Sequence, residues 1–340
     1  MKSFFGLVGN PPYHKTLKGT SGRPIYNLFV DAAYQVAEKA ELVTPARFLT
    51  KAGKTPKGWT ERMLADPHLK VLFYEPERKA VFPGVYLNGG VAVTYRDTKR
   101  EFARIGLLPR SSELCSLLER IRPHLEGGCL AELIYPQNRF ILEVLYRDYP
   151  QYRALISSAG REQRIVSSAF NKLDVFCSFK RNAEDLQIVG LGEKGHRVCR
   201  WIDRRYIKDN GNLYAYKVIL PKAYGSGEWG QVIGLPLIIP PSCGYTQTFM
   251  GFGCSRTYHE AEPLLKYLKS KFARACLSIL KVTQDNNSAK WRCVPRPDFT
   301  SASDIDWQSN LSDLDEQLYA KYDLERHEID FIESHIDRME

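Results

Sequence analysis

A short apolar segment that runs directly into two prolines is the feature that most constrains this chain. Residues 4–8 are Phe-Phe-Gly-Leu-Val, Gly9 ends the run, and Asn10-Pro11-Pro12-Tyr13 follows at once. An apolar run of this length, bounded by glycine and proline, predicts a buried strand. The loop that begins at Asn10 is therefore expected at the carboxyl end of a strand, the edge at which open α/β sheets bind their ligands.

The residues after this loop alternate between helical and strand patterns. Apolar positions recur at helical spacing over residues 26–39, which predicts an amphipathic helix. A second, short helix is predicted over residues 59–65, before Pro67, and three strands over residues 42–44, 69–74 and 91–95. Strands that alternate with helices favour a parallel α/β layer.

The pattern changes near residue 109, where we expect a domain boundary. Ser111 and Ser112 predict the capped start of a helix with apolar positions at 114, 117, 118 and 121. Residues 130–255 contain many aromatic residues, Gly and Pro punctuation and short β-like runs, and predict a mixed α+β domain. The β-like runs cover residues 216–220 and 232–239, and the remaining helices are predicted over residues 260–280, 311–322 and 324–336.

The net charge of +9 is unevenly distributed along the 340 residues. Residues 301–340 hold twelve Asp or Glu against three Lys or Arg, so residues 1–300 carry a net charge of +18. A basic body of this kind fits a polyanionic partner, because neutralising phosphates releases condensed counterions. The acidic tail is equally compatible with a solubilising cap and with a helix that binds a partner.

Several protein classes are disfavoured by composition. No run approaches eighteen consecutive apolar residues, and the N-terminus has no signal-like cleavage site, so we expect a cytoplasmic protein without a membrane span. The eight cysteines form no C-x-x-C pair and the seven histidines no metal-binding spacing. We therefore expect buried free thiols and no protein-held metal.

The Asn-Pro-Pro-Tyr loop has the chemistry needed to activate an exocyclic amine on an aromatic base. Such an amine is a poor nucleophile because its lone pair is delocalised into the ring. The side-chain carbonyl of Asn10 and a main-chain carbonyl held outward by Pro11 and Pro12 can each accept one amine hydrogen. The prolines keep the loop rigid and remove backbone donors. Tyr13 can stack on a base that has been flipped out of a duplex.

From this loop onward the sequence resembles the adenine-specific DNA methyltransferases of the combined restriction-modification class, the type IIG-like enzymes. The motifs that carry the resemblance are Leu7-Val8-Gly9-Asn10-Pro11-Pro12-Tyr13, Tyr26-Asn27-Leu28-Phe29, the segment 42–49, Val81-Phe82-Pro83-Gly84-Val85 and the segment 89–95. The resemblance implies catalysis at residues 10–13 and S-adenosylmethionine as the methyl donor. It also implies that Asn10, Tyr26 and Phe29 lie beside the donor, and that Tyr95 stacks on the adenine opposite Tyr13.

The resemblance continues into the second half of the chain, where the family reads its DNA target. The similar segments are residues 216–223, 246–249, 271–274, 281–285, 294–299, 306–307 and 318–319. On this basis double-stranded DNA is the expected partner, and the expected phosphate contacts are Lys217, Lys222, Lys271, Arg274 and Lys281.

The implied fold is α/β, with three parts along the chain. Residues 1–108 would form a partial Rossmann-like methyltransferase sheet, the C-terminal half of a catalytic domain. Residues 109–300 would form a mixed α+β target-recognition domain, and residues 301–340 an acidic helical tail.

A complete enzyme of this kind also needs a glycine-rich turn and an acidic residue to hold the donor, and in the family these precede the catalytic loop. Only nine residues precede Asn10 here, so the donor-binding half is expected to be absent. Residues 190–195 formally satisfy G-x-G-x-x-G, which leaves a permuted arrangement open. The basic residues that follow, and the turn at 209–212, favour a hairpin over that arrangement.

Three functions remain open from the sequence. The leading hypothesis is site-specific DNA adenine methylation in a restriction-modification or phage-defence system. A second polypeptide would then supply the donor-binding half, or the chain would be a fragment of a longer reading frame. The alternatives are a non-catalytic DNA-recognition subunit with a relic loop, and methylation of RNA or of protein glutamine.

Overall fold

The computed structural model describes residues 4–17, 20–49, 54–75, 90–102, 105, 111–156, 160–192, 195–225, 232–281 and 284–339. The chain divides into two compact units, Met1–Cys115 and Ser116–Glu340. The predicted boundary between residues 108 and 109 lies outside the described residues.

The first unit is built on a four-stranded sheet with two helices. Its elements are β1 (Phe4–Gly9), β2 (His14–Leu17), β3 (Thr20–Pro24), α1 (Tyr26–Val36), β4 (Ala37–Pro45), α2 (Lys57–Ala65), β5 (Leu69–Glu75) and β6 (Val91–Asp97). The sheet has the order β1-β4-β6-β5, and β2 and β3 form a separate hairpin. Each strand and helix predicted for this region is present. The prediction that the first strand is buried is wrong, because Phe4, Phe5 and Val8 of β1 are exposed at one edge of the sheet.

Strand directions show a mixed sheet, whereas the alternation of elements had favoured a wholly parallel one. β1 and β4 are parallel, with Gly9 opposite Leu42. β6 is antiparallel to both β4 and β5, so it is an inverted strand between two strands of the opposite direction. Sequential strands need a long crossover to pair in parallel, and β5 and β6 instead pair directly in the antiparallel sense. The order of elements along the chain does not reveal the direction of each strand in the sheet.

The core of the first unit lies on the sheet face that α1 and α2 cover. Tyr26 and Val30 of α1 are buried there together with Trp59 of α2 and Leu42 of β4. α1 ends at Val36 rather than near residue 39, because the chain enters β4 at Ala37 without a loop. Ala37 and Ala40 continue the helical spacing by coincidence, which explains the overlong prediction.

α3 (Ser112–Ile121) begins where a capped helix was expected, and the division between the two units falls within it. The amide of Leu114 donates to the Ser111 hydroxyl over 3.3 Å, as an N-cap requires. The predicted apolar positions, 114, 117, 118 and 121, are all buried.

The second unit combines small sheets with a helical C-terminal part. Its strands are β7 (Ile134–Tyr135), β8 (Arg139–Phe140), β9 (Asp185–Leu191), β10 (Arg197–Asp203), β11 (Ile207–Lys208), β12 (Tyr216–Pro221), β13 (Leu237–Ile239), β14 (Cys243–Tyr245) and β15 (Phe249–Ser255). Its helices are α4 (Leu142–Asp148), α5 (Tyr152–Leu155), α6 (Ala169–Lys172), α7 (Tyr258–Lys269), α8 (Lys271–Ser278), α9 (Leu311–Lys321) and α10 (Arg326–His335). The sheets have the orders β13-β12-β15-β7, β10-β9-β14 and β11-β8.

The glycines at 190, 192 and 195 belong to a hairpin. β9 and β10 pair antiparallel, and the Gly192 amide donates to the His196 carbonyl over 2.8 Å. A strand follows the glycines where a dinucleotide fingerprint requires a helix. The permuted donor site is therefore wrong. The hairpin expected at the turn 209–212 is also wrong, because β11 before that turn pairs with β8, and β12 after it pairs with β13 and β15.

Two other elements differ from their predictions. The helix expected over residues 260–280 is two helices, because Ser270 adopts an extended conformation and its hydroxyl accepts from the Ala273 amide as a new N-cap. The β-like run 232–239 forms a strand only over Leu237–Ile239.

The acidic tail is an integral part of the second unit. Leu314, Leu318 and Tyr319 of α9 are buried, as is Ile332 of α10. The buried Asp315 carboxylate accepts the main-chain amides of Lys271 and Phe272 at 3.1 and 3.0 Å, at the start of α8.

Candidate functional site

The Asn-Pro-Pro-Tyr turn leaves the carboxyl end of β1 and is fixed at its far end by a main-chain bond. The Ile25 amide donates to the Tyr13 carbonyl over 3.1 Å, which joins the turn to the residue before α1. Asn10 and Pro12 are exposed, and Pro11 and Tyr13 are half-buried. Two prolines restrict the backbone, so the Asn10 carboxamide is held at the surface with little freedom in the chain beneath it.

The Tyr13 ring packs against the core of the first unit. Its hydroxyl oxygen is buried and has no well-aligned hydrogen-bond partner among the described residues. Burial raises the pKa of Tyr13, and the nearby Asn10 side chain lowers it to a smaller extent. The phenol is therefore neutral at physiological pH, and the ring is supported on one side by apolar neighbours.

Arg47 and His14 lie near this turn, and neither was singled out from the sequence. Arg47 occupies a short 3-10 turn that directly follows β4, the parallel neighbour of β1. Burial, and then the charge of Arg47, lower the pKa of His14, so its imidazole is neutral near pH 7. The available sequence indication was the position of Arg47 just beyond a strand-ending Pro45, since parallel strands bring their carboxyl ends to one edge.

The structure does not support direct donor contact by Tyr26. Its side chain is 1 % exposed, its hydroxyl bonds to the Thr55 hydroxyl over 2.8 Å, and its ring packs edge-on against Trp59. Burial raises the pKa of Tyr26 to about 12. Phe29 is exposed on α1, as a contact residue would be.

Tyr95 does not lie opposite Tyr13. It shares a row across the sheet with Glu41 and Val8, two residues before Asn10. That row faces away from the α1 and α2 core against which Tyr13 packs, because side chains alternate between the faces of a strand. The Tyr95 hydroxyl donates to Asp97 over 3.1 Å. The predicted base sandwich is therefore wrong for Tyr95, and the rest of the expected hairpin region, residues 81–85 and 89, lies outside the described residues.

Lys217 is an internal lysine of the central strand β12. It is 1 % exposed, and its ammonium donates to the carbonyls of Leu213, Ala215 and Pro240 at 3.0, 2.7 and 3.3 Å. Burial lowers the pKa of Lys217 to about 8. A group enclosed in this way does not reach a DNA phosphate, so this predicted contact is wrong.

Arg274 and Lys281 are also buried, which corrects two further predicted contacts. Arg274 donates to the carbonyls of Ser270 and Asp337 at 3.2 and 2.6 Å. Lys281 donates to the Tyr224 carbonyl over 3.1 Å. Both side chains hold the fold together by donating to main-chain carbonyls.

The remaining two predicted contacts are half-buried. Lys271 forms a 2.6 Å ion pair with Glu333 of the tail, so its charge is already neutralised. Lys222 has no ion pair among the described residues, and burial followed by the charge of Arg164 lowers its pKa. Of the five cations, Lys222 alone lies near the surface without an ion pair to a described residue, although the charge of Asp285 acts on it.

The first unit thus presents a rigid carboxamide and a supported ring at the carboxyl edge of an α/β sheet, an arrangement able to bind the amino group of a planar ligand. Residues 2–82 match the family model described as Eco57I restriction-modification methylase. The match covers less than a quarter of the chain and includes the whole Asn10–Tyr13 turn. It supports DNA methylation of the restriction-modification kind for this unit. No curated protein matches the chain. None of the described helices is both long and apolar enough to span a bilayer.

Proposed function

We propose that this chain is the base-binding component of an adenine-specific DNA methyltransferase in a restriction-modification or phage-defence system. The observation that carries the proposal is the exposed Asn10 carboxamide, held by two prolines beside the ring of Tyr13. The similarity of residues 2–82 to restriction-modification methylases supports DNA as the substrate.

The proposed chemistry uses the turn as an acceptor of hydrogen bonds. Asn10 Oδ1 and a carbonyl of the proline pair accept the two hydrogens of the adenine amino group. The nitrogen is drawn toward a tetrahedral geometry, and its lone pair becomes available for bond formation. The Tyr13 ring stacks on the extruded base. S-adenosylmethionine supplies an electrophilic methyl group when bound, and the proton that the nitrogen loses passes to solvent.

The described residues of the first unit fit the base side of this reaction better than the donor side. Tyr26 is closed within the core, and Asn10 and Phe29 alone remain accessible from the predicted donor set. Two residues do not make a pocket for a nucleoside sulfonium. We infer that a pocket of that kind is supplied by a second polypeptide.

The first unit also has an uncovered apolar surface of the kind that a partner would bury. β1 is an edge strand among the described residues, and its side chains Phe4, Phe5 and Val8 are 57, 71 and 82 % exposed. An exposed apolar edge strand invites pairing with another chain. On α1, Leu28, Phe29, Ala32 and Val36 are exposed at helical spacing, which adds an apolar stripe.

The occupant we propose for this surface is a second polypeptide that carries the donor pocket. It would add a strand to the free edge of β1 and cover the α1 stripe. Main-chain hydrogen bonds along β1 would provide affinity, and the apolar side chains would provide specificity.

Labelled methyl transfer to duplex DNA tests this function, with and without the product of the neighbouring upstream gene. Transfer is expected only when both polypeptides are present. Asn10→Ala is expected to abolish transfer and to leave duplex affinity nearly unchanged. Equal loss of transfer and of DNA binding in Asn10→Ala would contradict the role of the turn.

A non-catalytic DNA-recognition subunit is the second candidate. The observation in its favour is the Tyr13 ring, which already packs against the core and has its hydroxyl buried. The same experiment separates the two functions, because such a subunit would bind duplex DNA and transfer no methyl group under either condition.

A further inference from the structure

Three cations stand side by side on adjacent backbone segments of the second unit. Arg139 in β8 pairs with Lys208 in β11 on one side and with Arg164 on the other. Residues directly opposite each other in antiparallel pairs project to the same face. The residues next to them, Phe140, Ile165 and Ile207, are buried, whereas the three cations are exposed. We call Arg139, Arg164 and Lys208 the cation row.

The cation row has no compensating acid among the residues that the structure describes. None of its members forms an ion pair or a side-chain hydrogen bond within the described part of the chain. Glu162, next in sequence to this segment, accepts the Gly160 amide instead. Like charges placed directly opposite in a ladder destabilise the pairing. The arrangement is thus unfavourable for the isolated protein, and an anionic ligand would relieve the repulsion.

Further cations extend the row into a basic surface. Arg161 and Lys172 line a cleft together with Arg164, and the floor of that cleft contains Phe140 and Leu173. Lys222 lies close enough to Arg164 for its pKa to be lowered by that charge, and Asp285 opposes the effect only in part. Arg161, Lys172 and Lys222 also have no ion pair among the residues that the structure describes.

Several other cations of this unit have an acidic partner. Arg122 pairs with Glu119, Arg147 with Asp148, and Arg326 with Asp330, at 2.7, 3.0 and 2.9 Å. The tail neutralises Lys271 through Glu333, and Arg120 through Glu325. The cation row and its neighbours therefore differ from these paired cations, because they are grouped on one surface without an ion pair to a described residue.

We propose that the cation row, with Arg161, Lys172 and Lys222, binds the phosphate backbone of duplex DNA. The inference rests on the proposed function, which makes DNA the substrate, and adds the surface that binds it. Three neighbouring backbone segments, β11, β8 and the segment at Arg164, place the row over roughly 10 Å. This is about three base steps at 3.4 Å per strand. The exposed guanidinium groups of Arg139 and Arg164 can each contact phosphate oxygens in a bidentate way.

The salt dependence of DNA binding tests this surface. In the full chain, a triple variant combining Arg139→Gln, Arg164→Gln and Lys208→Gln removes three predicted phosphate contacts. Each lost contact reduces the slope of log Kobs against log salt by about 0.9 for duplex DNA, so the slope should fall by nearly three. The matched control combines Arg122→Gln, Arg147→Gln and Arg326→Gln. It removes the same charge from paired positions and should leave the slope nearly unchanged.

Thermal unfolding without DNA provides a second measurement. Removing uncompensated repulsion should keep or raise the melting temperature of the triple variant, whereas a structural role for the row would lower it. An unchanged salt slope in the triple variant would overturn the proposal. An equal fall of the salt slope in the control variant would also overturn it. So would a triple variant that loses affinity for a single-stranded RNA but keeps its affinity for duplex DNA.

Methyl transfer separates this proposal from the function on which it rests. If the slope falls as expected but no condition yields transfer by the wild-type chain, DNA binding by the cation row is supported. The proposed methyltransferase function is then contradicted. If the slope is unchanged while the wild type and the triple variant both transfer methyl at saturating DNA, the methyltransferase function is supported. The proposed role of the cation row in DNA binding is then contradicted.

Discussion

The placement of Asn10 and Tyr13 could be predicted from the sequence because it depends on neighbours in the chain. Two prolines after an apolar strand are sufficient to predict a rigid, exposed acceptor. The misassigned residues depend on neighbours that are distant in the chain. Lys217 lies within the apolar segment of β12, a central strand between β13 and β15, and only that sheet order shows that its side chain is internal.

Substitutions of Tyr13 distinguish the ring from the hydroxyl. Tyr13→Phe removes a buried hydroxyl that has no well-aligned partner, so methyl transfer and thermal stability should be retained. Tyr13→Ala removes a stacking contact worth about 1–3 kcal/mol per base, so transfer should fall by about 5- to 150-fold. Steady-state assays of methyl transfer with the partner present measure the activity of the two variants, and thermal unfolding measures their stability. A Tyr13→Phe variant as defective as Tyr13→Ala would mean that the hydroxyl takes part in the chemistry.

Lys217 should make the stability of the second unit rise with pH above neutrality. The folded-state pKa is about 8, whereas an unfolded lysine holds its proton to about 10.4. Above pH 8 the unfolded chain therefore binds more protons, and the free energy of unfolding increases by about 1 kcal/mol per pH unit.

Urea unfolding at pH 7.5, 8.5 and 9.5 checks this expectation, and Lys217→Met is the control that lacks the titrating group. The free energy of unfolding of the wild type, relative to that of Lys217→Met, should rise steadily with pH. Parallel pH profiles for the two proteins would show that the lysine keeps its ordinary pKa.

Most elements of the first unit were predictable because each has a clear period and clear ends. Their directions were not, since β6 is inverted between β4 and β5 and no local feature marks strand polarity. The break between α7 and α8 was missed for a related reason. Ser270 interrupts a continuous helical period, and its role as a cap appears only in its backbone conformation.

The start of α8 should depend on Asp315 of the acidic tail. Its carboxylate accepts two main-chain amides, those of Lys271 and Phe272. Asp315→Ala leaves both donors without this acceptor and should lower the free energy of unfolding by about 1–2 kcal/mol. Asp315→Asn keeps one side-chain oxygen and should lose less. Chemical denaturation of the full chain measures both, and equal stability of wild type and Asp315→Ala would show that the tail does not anchor α8.

The free edge of β1 should be required for complementation by the second polypeptide. Phe4→Lys places a charge in the strand that the partner would pair with, so methyl transfer in the mixture should fall at least tenfold. Leu72→Lys is the matched control, because Leu72 is a comparably exposed residue of β5 at the opposite edge of the same sheet. Equal effects of the two substitutions on transfer would place the partner elsewhere.

At the scale of the whole molecule, the distribution of charge along the sequence was predictable. The pairing of these charges in the fold was not. The sequence shows a basic body and an acidic tail. It does not show that α9 and α10 fold back within the second unit, where Glu333 neutralises Lys271 and Asp337 accepts from Arg274. Linear composition therefore overestimates the charge available to DNA.

The identity of the methylated atom tests the proposed function most directly. Duplex DNA is incubated with labelled S-adenosylmethionine, this chain and the upstream gene product, then digested to nucleosides and analysed by mass spectrometry. The label is expected on the exocyclic nitrogen of adenine, and it should disappear with Asn10→Ala while DNA binding persists. A label on cytosine, or on adenine in the Asn10→Ala variant at the wild-type level, would contradict the function proposed for this turn.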